Sequence, residues 1–98
     1  MDFLNKTIFV SKKLVMEDGK VYFDNFFAQV DSVNDEAIVV KKADGELENL
    51  PRDEDFYEPA EEGLYELTDG SSCENPDFIA EFLIFENDVA YEKFKDDY

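Results

Sequence analysis

Carboxylates dominate the side chains of this sequence that are capable of chemistry: it carries 26 Asp and Glu, one Cys and no His. Without imidazole there is no Ser-His or Cys-His nucleophilic pair and no His-containing zinc site. Cys73 has no partner for an internal disulfide, and Glu74 beside it disfavours the thiolate that a nucleophile requires, so it reads as a structural thiol. Two carboxylates at a fixed separation across a sugar-sized groove would serve a glycosidase, but among so many acids no single pair stands out. Asp53-Glu54-Asp55 with Glu58, Glu61 and Glu62 has the charge of a cation loop but not the Gly and oxygen spacing of an EF-hand. The chemistry predicts a non-catalytic protein with no metal and no cofactor.

The acids are unevenly placed. Residues 1–42 hold six Lys and seven Asp or Glu, whereas residues 43–92 hold seventeen acids and only Arg52, within a chain of net charge -17. Nucleic acid and anionic membrane bind through Lys and Arg that displace counterions from phosphate, so both are poor partners. A basic protein is the electrostatic complement. The segment that mixes charge with apolar anchors is Asp53 to Glu62, where Phe56, Tyr57 and Pro59 sit among six acids. The predicted partner-binding set is Asp53, Glu54, Asp55, Tyr57, Glu58, Glu61 and Glu62, with Asp44, Glu46 and Glu48 as a second strip. Of the two aromatics, Tyr57 is expected to face outward, and Phe56 either closes the core or joins the surface.

The elements that must position these residues are strands. Thr7 to Met16 is β-favouring, and Glu17-Asp18-Gly19 signals a turn. Lys20 to Val30 is rich in aromatics whose alternation switches at Asp24-Asn25, which predicts a bulge or tight turn there. Ala37 to Lys42 and Glu46 to Leu50 make a hairpin about Ala43-Asp44-Gly45, and Pro51 ends it. Arg52 to Gly63 is the strongest loop. Leu64 to Thr68, a turn at Asp69-Gly70, and a largely apolar Phe78 to Phe85 follow, the last expected to be a central strand. Asn87-Asp88 caps a short closing helix with Tyr91 and Phe94. One mainly β domain over residues 1–98 is predicted, a small antiparallel barrel or curled sheet of about six strands. The opening residues lack a signal-peptide pattern, and no apolar run spans a bilayer, which predicts a cytoplasmic protein.

Leu50-Pro51, then Glu58-Pro59-Ala60-Glu61-Glu62-Gly63-Leu64-Tyr65-Glu66-Leu67, then Asn75-Pro76-Asp77-Phe78 form an ordered set of motifs. The set resembles small bacterial proteins that confer immunity to polymorphic toxins, across roughly residues 26–85. The resemblance implies an inhibitor of a cognate toxin, such as a nuclease, and assigns no contact residue. The alternatives are a nucleic-acid mimic that inhibits a nuclease, and an assembly domain whose acid is solubilising.

Overall fold

The computed structural model describes residues 2–98 and is built from eight strands and one short helix. The strands are β1 (Thr7–Val15), β2 (Val21–Val33), β3 (Ala37–Lys42), β4 (Leu47–Pro51), β5 (Tyr57–Pro59), β6 (Leu64–Glu66), β7 (Ser72–Glu74) and β8 (Phe78–Phe85), followed by α1 (Asp88–Phe94). Six of them form one sheet in the order β4-β3-β2-β1-β8-β5, and β6 and β7 pair separately. The fold is mainly β with a short C-terminal helix, as expected, and the sheet takes the curled rather than the closed form. It departs from an all-antiparallel sheet at one place: β8 runs parallel to β1, with Ile8 opposite Phe78 and Val15 opposite Phe85.

Three hairpins use one turn design. Asp18, Asp44 and Asp69 each accept a hydrogen bond from the backbone N–H two residues on, at 2.8 to 2.9 Å. The next residue is Gly19, Gly45 or Gly70, with φ of 90°, 91° and 92°. Each Gly N–H donates three residues back, to the carbonyls of Met16, Lys42 and Leu67. This is a three-residue loop in which a side-chain acceptor fixes the turn and a left-handed Gly forms the bulge. The acidic residue of each Asp-Gly pair is therefore part of the scaffold.

The concave face collects the core. Ile8 and Val10 of β1, Ala28 and Val30 of β2, Ile38 and Val40 of β3, Leu50 of β4, and Phe78, Ala80 and Phe82 of β8 are buried there, and Phe3 plugs the end against Tyr57 and Phe78. Each fully buried Ile, Val or Phe contributes roughly 1.5–3 kcal/mol by leaving water. The curl brings the two edge strands together without a backbone ladder, and the Tyr57 hydroxyl bridges the seam by donating to the Pro51 carbonyl at 2.6 Å.

The convex face is covered at its two ends. At one, Tyr65 of the β6–β7 hairpin rests on Phe9, which packs edge-on to Phe27. At the other, α1 begins at Asn87, whose side chain accepts from the Ala90 N–H, and Tyr91 and Tyr98 meet Phe85. The motif residues tie these layers down: the Gly63 N–H donates to Asn75 Oδ1 at 2.7 Å, the Asn75 N–H returns to the Gly63 carbonyl, and Thr7 and Asp77 exchange a similar pair.

Two local expectations are corrected. Asp24-Asn25 is neither a bulge nor a turn: β2 passes straight through it, with Asp24 opposite Lys12 and Asn25 opposite Ser11, and the register shift falls later, between Val30 and Ser32. Polar residues are tolerated there because this half of β2 projects beyond the core. Nor is β8 central along its whole length, since β5 pairs only with Phe78, Ile79 and Ala80. The expected loop from Arg52 to Gly63 contains a 3₁₀ turn at Glu54–Phe56 and the short strand β5.

Candidate acidic interface

The predicted acids separate into two groups at opposite ends of β4. Asp44 and Glu46 lie at the β3–β4 turn, and Asp53, Glu54 and Asp55 lie just past Pro51, with Glu58 on β5 and Glu61 and Glu62 beyond it. All of these are exposed. The 3₁₀ turn is nucleated by Asp53, whose carboxylate accepts from the Asp55 N–H at 3.0 Å, so one oxygen of this acid is spent on local structure. Arg52 reaches Glu54 at 3.5 Å. Asp53, Asp55, Glu58, Glu61 and Glu62 form no ion pair among the described residues.

Two members of the set are placed elsewhere. Tyr57, expected to face outward, is 3% exposed and belongs to the core; Phe56 is the outward aromatic, 41% exposed, its ring 5.1 Å from that of Phe82. The 3₁₀ turn resets the alternation, so that β5 begins with its first side chain inward. Burial pushes the Tyr57 phenol up to about 12, against the opposing charge of Arg52.

Glu48, expected in the outer strip, faces the concave side. Its carboxylate accepts from Lys12 at 2.5 Å and pairs with Lys42 at 3.3 Å, and both ammoniums stand over the Phe26 ring. Burial alone would raise its pKa, but the Lys12 hydrogen bond and the charges of Lys12 and Lys42 outweigh that and hold the carboxyl below its ordinary value. The phase of β4 is set by Leu50, 3% exposed, which puts Glu48 inward and Leu47 outward at 59%.

Sequence reasoning also did not associate Asp44 with Asp69. The structure lines one shallow cavity of about 330 Å³ with both turn residues together with Phe26 and Phe27, because the β6–β7 hairpin lies over this end of the sheet. The Ser71 hydroxyl and N–H hold Asp69 below the usual carboxylate range. Only the shared Asp-Gly spacing hinted at an equivalent role for the two turns. Cys73 is half-buried, and burial, with the charge of Asp77, pushes its thiol up, which disfavours nucleophilic use.

No group of three His, Cys, Asp or Glu converges on a point that could hold a metal among the described residues. No helix among them is long and apolar enough to cross a membrane. The arrangement presents exposed carboxylates around scattered apolar side chains. No protein-family model, curated protein or solved structure matches this chain.

Proposed function

We propose that this chain is a non-catalytic binding protein that docks a basic protein through its exposed carboxylates. On the resemblance of its Leu-Pro, Pro-Ala-x-x-Gly-x-Tyr-x-Leu and Asn-Pro-Asp motifs, it is an immunity protein that neutralises a cognate bacterial toxin in the cytoplasm. The observation that carries the reading is the division of charge. Lys12 and Lys42 are committed to Glu48, Arg52 to Glu54 and Lys95 to Glu92, while Asp53, Asp55, Glu58, Glu61 and Glu62 face solvent without a cation among the described residues. The field of those carboxylates is left to act on a partner.

A basic substrate groove attracts such a surface by the same Coulomb force that draws in phosphate, and steering of this kind raises association rates by about 10- to 1,000-fold at low salt. Phe56 supplies an apolar contact within the acidic rim. Co-expression with the product of the adjacent gene tests the proposal: rescue of growth and a co-purifying complex are expected, and recovery of neither contradicts it.

A further inference from the structure

The long strand β2 is only partly flanked. β1 pairs with it from Val21 to Gln29, but β3 joins on its other side only from Ala28 onward. The hydrogen bonds from the Met16 N–H to the Lys20 carbonyl and from the Val30 N–H to the Lys6 carbonyl fix the phase of the antiparallel ladder. Even-numbered residues of β2 turn their backbone groups toward β1, and Val21, Phe23 and Asn25 turn theirs away. No strand lies alongside those three residues.

Proteins usually blunt such an edge with Lys, Pro or a bulge. None occurs between Val21 and Asn25, where Tyr22 is 53% and Phe23 66% exposed. A row of outward backbone donors and acceptors is complemented by an extended chain and by little else. The side chains beside it state what that chain carries. On the convex side Phe23 borders a recess of about 460 Å³ shared with Phe9, Leu67, Glu66 and Asp69; Asp24 borders it too, and no Lys or Arg lines it. Apolar residues of that chain fit against Phe23 and Leu67, and its Lys or Arg residues, on the alternate set, meet Asp24, which its place opposite Lys12 turns to the concave side. A second copy of this chain, with net charge -17, would bring like charge to the same place.

We infer that the open edge of β2 over Val21–Asn25 takes an extended, Lys- or Arg-bearing segment of a basic protein as an added strand. This rests on the reading of the partner as a basic protein and says where that partner's backbone docks. Such an edge separates two contributions: the acids of the β4–β5 region accelerate encounter, and backbone pairing holds the complex.

Amide hydrogen exchange of the intact protein, titrated with a short capped peptide that alternates Val and Lys, tests the inference. Exchange at the Phe23 and Asn25 amides is expected to slow by about tenfold or more, with no effect of a Val-Glu peptide. Asn25→Pro removes one outward N–H without touching the ladder to β1, and should weaken peptide binding by about tenfold while leaving the fold intact. Unchanged exchange at Phe23 and Asn25 in the wild-type protein overturns the inference whether or not Asn25→Pro folds. Protection that instead rises with protein concentration alone assigns the edge to a second copy and also overturns it. If a complex with the adjacent gene product forms but these two amides exchange in it as fast as in the free protein, the edge inference fails and the basic-partner reading stands.

Discussion

Lys12 and Glu48 meet at 2.5 Å although β2 and β3 lie between their strands in the sheet. Only a strongly curled sheet brings β1 and β4 so close, so the contact is a direct reporter of the curl. Lys42 completes a cluster with one carboxylate and two ammoniums over the Phe26 ring. Partial burial makes such a cluster worth more than an exposed pair, because the charges are less screened and each retains its hydrogen bonds.

Glu48→Gln should therefore destabilise the protein by about 1–2 kcal/mol, since it leaves two half-buried ammoniums without their counter-ion. Urea unfolding at neutral pH measures it. Substituting an exposed acid such as Glu58 by Gln should change stability by less than about 0.5 kcal/mol or raise it slightly, by relieving self-repulsion.

The Glu48 contribution has a defined pH dependence. Its folded pKa is depressed, so the stability it adds is present above the unfolded value and is lost as pH falls through the folded one. The difference in unfolding free energy between wild type and Glu48→Gln should be constant near neutrality and shrink as the solution is made acidic. A difference that stays constant into strong acid contradicts the assignment.

Tyr57 acts at the other end of the pH scale. Tyr57→Phe removes the hydroxyl that bridges to Pro51 and should cost about 1 kcal/mol. Because the folded phenol is raised to about 12, it favours the neutral form, and stability should fall as pH rises from the unfolded value toward 12. Ultraviolet titration should show a tyrosine step at about pH 12, and that step should vanish in Tyr57→Phe.

Asn75 holds φ at 52° while its side chain accepts the Gly63 N–H. Asn75→Gly and Asn75→Ala both lose the side-chain bond, but Ala keeps a Cβ in left-handed backbone that Gly removes, so the Ala variant should be less stable than the Gly variant by about 1 kcal/mol. Thermal unfolding of the two variants makes the comparison.

How much of this was legible in the sequence depends on range. The turns at Asp18-Gly19, Asp44-Gly45 and Asp69-Gly70 and the Asn87 cap were readable because each is decided within three residues. The parallel pairing of β1 with β8 was not, since it joins Ile8 to Phe78 and has no local signature. Asp24-Asn25 suggested a break because polar residues interrupt an apolar alternation, yet β2 stays in register with Lys12 and Ser11 on the neighbouring strand, and the Ser11 hydroxyl donates to Asn25 Oδ1. The exposed acidic segment was readable as composition, but not in its facing: Leu50 decides that Glu48 points inward, and the 3₁₀ turn decides that Phe56, not Tyr57, meets solvent.

The central claim is that exposed carboxylates around the β4–β5 connection draw in a basic protein. Stopped-flow association with the partner recovered by co-expression, measured from low to physiological ionic strength, tests it most directly. The rate should fall by about tenfold or more across that range as screening shortens the reach of the charges, and Asp53→Lys with Asp55→Lys should slow it and flatten the dependence. A rate indifferent to salt, and unchanged by the double reversal, would contradict it.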